Sequence, residues 1–315
     1  MSSSLNQSFF DGATSEEGIF HLFHLPLSRT QLESAFSFAT LSSMFIGAVM
    51  VAVLYVSFLL QSIVSSALLL IATFFLTISV YSLNKVTDLE EDLVNLPDRA
   101  RFVKKNRDYL LFASLESINI AVILVFFANP YAIPVILFPF YVGLFYSTGM
   151  RRLRIKDALL LKNIMVALAA TTAAVLLPLA VHTTIPFIVL LVGYFIFLKC
   201  FINTVLFDVR DIEGDRKAGV LTIPISLGTK KTRNALLLLN STLAVWVAFA
   251  IFQGLFYPYQ IVLILSVLYG YWCILRCTRV DAKASKLFDL LVDGEWVILA
   301  LYALPFALGW PSLTL

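Results

Sequence analysis

Apolar residues in this chain come in long unbroken runs. In the stretch 63–80, IVSSALLLIATFFLTISV, hydrophobic side chains cover every face of a helix instead of one stripe. A helix needs roughly 20 mainly apolar residues to cross the hydrocarbon core of a bilayer. Nine segments separated by charged connections meet that requirement: 34–58, 60–83, 109–128, 131–147, 158–181, 185–207, 234–255, 258–276 and 294–310. A membrane β-barrel would instead show segments of about ten residues alternating polar and apolar, and none is seen. The pattern predicts an all-α, polytopic membrane protein with a bundle of about nine transmembrane helices over 34–315, preceded by a cytoplasmic N-terminal segment, 1–33.

Composition agrees. With 60% hydrophobic and 14% charged residues, and a mean hydropathy of +0.89, the 315-residue chain lies outside the range of soluble globular domains. Residues 1–33 are polar and mixed, with Glu16, Glu17 and Arg29 where a signal peptide would have a basic start and an apolar centre, so the first span is expected to direct insertion. Cys200, Cys273 and Cys277 have neither disulfide-framework nor metal-ligand spacing and are read as packing residues.

Charge sets the orientation. The connections after spans two, four, six and eight hold 20 of the 23 Lys and Arg, and those after spans one, three, five and seven hold none. By the positive-inside rule the charged loops and the N-terminus are cytoplasmic. The remaining three are Arg29, Lys162 and Lys199, and the last two fall inside spans five and six.

Chemistry concentrates where spans two and six end. The first end reads Asn84-Lys-Val-Thr-Asp88-Leu-Glu-Glu-Asp92, and its four-residue steps keep Asn84, Asp88 and Asp92 on one helical face. The second contains Asn203 and then Asp208-Val-Arg-Asp211-Ile-Glu-Gly-Asp215-Arg216, again with its acids on one face. Two acidic helix ends on the same side of a bundle suit Mg²⁺, which takes one or two carboxylates, keeps several waters and completes its shell with substrate phosphates. The pair reads as a metal-held diphosphate clamp with its active site on the cytoplasmic side.

Cations near it are candidates for the remaining phosphate charge: Arg151, Arg152, Arg154 and Lys156 after Tyr146, then Arg210, Arg216 and Lys217. Lys162 and Lys199, with neighbouring Asn163 and Asn203, are expected to face a polar cavity, because ionisable groups within spans are costly. His21, His24 and His182 are unclustered and read as loop or surface residues. Asp281, Asp289 and Asp293, spaced eight and four, read as a solvated loop before span nine, with closure of the site as the alternative. Most of the 27 Phe and 12 Tyr are expected in the core or facing lipid, with a few near the clamp placed to shield a carbocation.

At Asn84–Asp92 and Asp208–Asp215 the sequence resembles the UbiA superfamily of intramembrane prenyltransferases. That family carries NxxxDxxxD after its second helix and DxxDxxxD after its sixth, and the run DVRDIEGDRKAGVLTIPISLG is similar to the second motif and its continuation. The family's YxxxK element is represented by Tyr146-Ser-Thr-Gly-Met-Arg151, one residue longer and ending in Arg. An Arg-Pro found near the first helix of members acting on aromatic acids has Arg29-Thr30 as its nearest counterpart.

The resemblance implies prenyl transfer from a polyprenyl diphosphate to a lipophilic, aromatic or quinone-type acceptor. Mg²⁺ would be held by Asp88, Asp92, Asp211 and Asp215. Asn84, Asp208, Tyr146, Arg151, Lys156, Lys162, Asn163, Lys199, Asn203 and Arg216 would serve the diphosphate. The partners it implies are the donor, the acceptor and membrane lipids, with no nucleic acid. Transfer to a lipid phosphate and carotenoid elongation stay open. An ion-coupled transporter would place its acids near the bilayer midplane, whereas every acidic cluster here lies at one interface.

Overall fold

The structure is a computed structural model that describes residues 43–148, 160–217, 219–279 and 288–308, with backbone only at residue 91 and residues 146–148. Nine long helices run through the described residues: α1 Met44–Leu60, α2 Ala67–Thr87, α3 Arg107–Ala128, α4 Ile133–Thr148, α5 Leu161–Leu176, α6 Pro186–Arg210, α7 Thr229–Phe252, α8 Gln260–Cys277 and α9 Phe288–Ala307. Seven are long and apolar enough to cross a membrane, counting the 3₁₀ turn that extends α5 to Ala180. The two shorter apolar helices are Met44–Leu60 and Pro130–Phe145. The protein is an all-helical, multi-pass membrane protein, with no strand among the described residues.

Helix ends follow local chemistry. Ser66 is extended before α2, and Pro186 sits in the first turn of α6, where its missing N–H costs no hydrogen bond. Three spans start elsewhere than the hydropathy pattern predicts, among them span seven, expected from 234 and beginning at Thr229. Span two, expected over 60–83, is α2 at Ala67–Thr87. The polar residues before it form the turn out of α1, where the Gln61 amide donates to Ser57 Oγ and the Val175 carbonyl. Span nine, expected from 294, begins at Phe288, because the acids that seemed to mark a loop find partners on α6. The expected start of span one at 34 and the segment 1–33 lie outside the described residues.

The helices close into a ring in which α1 packs on α2, α2 on α4, α4 on α5, and α5 through α9 each on the next, with α9 returning to α1. Helix α3 packs outside, against α2 and α4. Lipid offers no hydrophobic drive between helices, so close approach and hydrogen bonds hold them together. Ser79 and Ser114 each donate to the other's carbonyl, at 2.7 and 2.8 Å, and so join α2 to α3. A Cβ at Gly143 of α4 would stand 2.8 Å from Val80. In the core Phe195 stacks on Trp246 at 5.2 Å and meets Trp296 edge-on. Phe126, Phe127, Val245, Phe252 and Leu301 point outward, as lipid-facing residues should.

Candidate active site

Helices α2 and α6 bend at an aspartate. Asp88 has φ −93° and ψ 15°, and Asp211 has φ −91° and ψ 9°, the sparsely populated region where many active-site residues sit. The helical ladder continues across both bends. Asp88 N bonds Asn84 O at 2.9 Å and Asp92 N bonds Asp88 O at 3.0 Å, while Asp211 N bonds Phe207 O and Asp215 N bonds Asp211 O, both at 3.0 Å. Each bend leads into a short helix, Leu89–Asn95 or Ile212–Lys217. The four-residue steps from Asn84 through Asp88 to Asp92, and from Asp211 to Asp215, therefore keep their helical spacing across the bends.

The two short helices touch. Gly214 N donates to Asn95 Oδ1 at 2.8 Å, and a Cβ at Gly214 would lie only 2.2 Å from that oxygen. Only glycine lets the turns approach this closely. The contact sets Asp92 near enough to Asp211 for their charges to repel.

Each of these carboxylates has an arginine. Arg99, on the helix Pro97–Lys105, grips buried Asp92 with two nitrogens, Nε at 2.7 Å from Oδ2. Burial pushes the Asp92 carboxyl above the usual carboxylate range, against the pull of Arg99. Arg210 holds Asp211 at 2.8 and 2.9 Å, reaches Asp289 of α9 at 2.6 Å, and lies over the rings of Phe207 and Phe288. Asp88 is half-buried, and Asp215 is buried.

The remaining residues fall into three groups. Buried Asp208 turns toward α5, accepting from Asn163 Nδ2 at 2.7 Å and Lys162 Nζ at 3.1 Å. Its partners, 45 and 46 positions away, draw it off the face it was expected to share with Asp211. Deeper on α6, Asn203 donates to Val292 O at 3.0 Å and Asp293 Oδ1 at 3.3 Å. Lys199 pairs with Glu295 at 2.6 Å, and Ser266 Oγ also donates to that carboxylate. Lys199 was expected to line a cavity; it is 1% exposed and serves an internal ion pair.

Arg216 and Lys217 are exposed on the second short helix, and His182 is exposed at a turn. Tyr146 lies in the last turn of α4. Arg151, Arg152, Arg154, Lys156, His21, His24 and Asp281 lie outside the described residues. All three cysteines are free.

Below the first bend an apolar cavity of about 90 Å³ opens between α1, α2, α4 and α5. Asn84 and Tyr81 stand at its upper wall, with Thr73, Gly143 and Ala173 further down. From Asn84 to Thr73 the wall extends about 16 Å at 1.5 Å per residue, so a slender hydrocarbon chain can lie along it with its polar head at the aspartates.

Sequence reading missed Arg99, Asn95, Gly214 and Glu295. Arg99 follows a break at Leu96-Pro97 that ends helical periodicity, and the others act through partners distant in the chain. Among the described residues no three acidic, histidine or cysteine side chains converge on one point. The donor set is instead carboxylates split between two facing turns, which suits a hard cation whose shell is completed by water and phosphate oxygens.

Comparison with known proteins is consistent with this architecture. Residues 40–292 match the UbiA prenyltransferase family. No curated protein matches the chain. Among solved structures, a UbiA homologue from Archaeoglobus fulgidus bound to GPP and Mg²⁺ is similar at a TM-score of 0.66 and 17% identity, over 84% of this chain and 96% of that one. An apo UbiA homologue from Aeropyrum pernix K1 gives 0.68 and 16%, over 84% and 98%. A digeranylgeranylglyceryl phosphate synthase gives 0.52 and 16%, over 86% and 99%.

Proposed function

Because this chain belongs to the UbiA prenyltransferase family, we propose that it transfers a prenyl group from a polyprenyl diphosphate to a lipophilic, aromatic or quinone-type acceptor within the membrane, with Mg²⁺ as its metal. The observation that carries the reading is the junction of the two motif turns through Gly214 and Asn95 above an apolar cavity. A similar fold in a homologue that binds GPP with Mg²⁺ supports it. Asp88, Asp92, Asp211 and Asp215 hold the metal, which when bound neutralises the charge of the departing diphosphate. Asn84 orients the head of the donor at the top of the cavity, and the prenyl chain runs down the wall lined by Gly143 and Ala173.

Arg99 and Arg210 counter the carboxylates in the free protein, and from beside them would share the diphosphate charge in the loaded one. Asp208 keeps Lys162 and Asn163 in place beside the second motif. Tyr146, Arg151, Lys156 and Arg216 remain candidates for the diphosphate, the first two by the counterpart of the YxxxK element and the other two by their positions in the chain. The loops bearing most Lys and Arg are cytoplasmic, so the active site opens on that side.

The test incubates purified protein with radiolabelled geranylgeranyl diphosphate, Mg²⁺ and a membrane lipid extract as acceptor source. An EDTA-sensitive labelled lipid is expected, and its mass separates an aromatic acceptor from a lipid phosphate. Absence of transfer with donors of every chain length would overturn the assignment.

A further inference from the structure

Acidic side chains inside the bundle are mostly answered by a cation: Asp208 by Lys162, Asp289 by Arg210 and Glu295 by Lys199. Asp293 differs. Among the described residues its hydrogen-bond donor is the Asn203 amide, at Oδ1, and no Lys or Arg lies within ion-pair distance. A carboxylate without a direct ion pair in a membrane helix is costly to keep and is a candidate functional position.

Its surroundings fix where it acts. Both amide hydrogens of Asn203 are committed to α9, one to Val292 O and one to Asp293 Oδ1, so the carboxylate is oriented with Oδ2 left to accept. Asp293 stands one helical turn, about 6 Å, deeper than Asp289, whose partner Arg210 also holds Asp211 of the clamp. Facing it from α2 is Tyr81, close enough to interact electrostatically and itself part of the cavity wall. Arg210 on α6 and Asp289 and Glu295 on α9 also act on it electrostatically, and Cys200 on α6 and Tyr269 on α8 lie within the same reach. With the diphosphate at the aspartates and the prenyl chain along the cavity, the allylic carbon would lie near the Asn84 and Tyr81 end of the wall, and Tyr81 is the residue that faces Asp293.

We propose that Asp293 is the proton acceptor of the transfer step, taking the proton that the prenyl acceptor gives up. The inference rests on the prenyltransferase reading above. The allylic carbon–oxygen bond breaks with its electron pair leaving on the diphosphate. The acceptor, an X–H nucleophile with X a hydroxyl oxygen or an activated aromatic carbon, supplies the pair for the new bond to that carbon. The attacking atom then carries a proton it holds weakly, and Asp293 Oδ2 takes it. No oxidant, reductant or further reactant is needed.

The prediction separates two half-reactions. Asp293→Asn keeps the hydrogen bond from Asn203 within reach and removes the base. The variant should bind geranylgeranyl diphosphate with Mg²⁺ within about twofold of wild type, while transfer to acceptors in lipid extract falls by roughly 100-fold or more, the usual scale for a lost general base. Asp293→Glu should recover part of the transfer. Near-normal transfer by Asp293→Asn, or an equal loss of donor binding and transfer, would overturn the assignment. Wild-type protein that binds no geranylgeranyl diphosphate would instead overturn the prenyltransferase reading, and this inference with it.

Discussion

At the scale of single residues the site is a balance of charges in a poor solvent. Asp88 and Asp211 sit at the bends, half-exposed and away from the hydrophobic core, so their loss should touch catalysis and leave the fold. Asp88→Ala and Asp211→Ala are each expected to lower turnover by at least about 100-fold, the scale for removing a preorganised electrostatic group. Thermal unfolding in detergent should stay within a few degrees of wild type. Wild-type kinetics in either variant would remove that residue from the mechanism.

Asp92 adds a dependence on pH. Its burial raises the carboxyl pKa, so at mildly acidic pH more of it is protonated than of an ordinary aspartate. Only the ionised form ligates a metal, so the apparent Mg²⁺ requirement should rise as pH falls. Arg99 opposes that shift. Arg99→Gln should therefore move the acid limb to higher pH, which Mg²⁺ titrations at several pH values will report.

At the scale of elements, α6 and α9 are joined by three polar contacts in series: Arg210 with Asp289, Asn203 with Asp293, and Lys199 with Glu295. Lys199 and Glu295 are both almost fully buried. Removing one partner leaves an uncompensated charge and costs about 3–5 kcal/mol, whereas replacing both with apolar residues of similar volume is often neutral. Lys199→Met and Glu295→Leu should each lower the unfolding temperature strongly in detergent, and the double variant should recover most of the loss.

The junction of the two motif turns makes a second prediction. Gly214→Ala drives a methyl group into Asn95, so transfer should fall at least about tenfold with the helical content unchanged in circular dichroism, the range expected when a small misplacement spoils a reacting geometry. These contacts also explain what the sequence could not reveal. The placement of α3, α4 and α8 is readable from hydropathy to within a few residues. The start of α9 is not, because Asp289 and Asp293 look like loop residues until α6 supplies Arg210 and Asn203.

At the scale of the whole molecule, the helical class and the two motif positions were legible because lipid imposes the first and four-residue spacing the second. The closure of the ring, with α9 against α1, depends on contacts between chain ends that no local pattern encodes. Orientation rests on loop charge, and it too can be measured. A cysteine at Lys104 should react with a membrane-impermeant maleimide only from the cytoplasmic side, and one at Thr183 only from the opposite side, in a background lacking the native cysteines. The reverse labelling would invert the topology.

The ties between α6 and α9 also bear on biosynthesis. Asn203 and Asp293 are 90 positions apart, and at roughly 5–20 residues per second a ribosome takes about 5–20 s to bridge them. Throughout that interval α6 carries Lys199 and Asn203 without their lasting partners. Its span has a mean hydropathy of 2.1, enough to enter lipid despite them. The nascent bundle must therefore pass through an early-inserted, late-locked stage, in which release of α9 from the ribosome completes the polar seam and closes the ring.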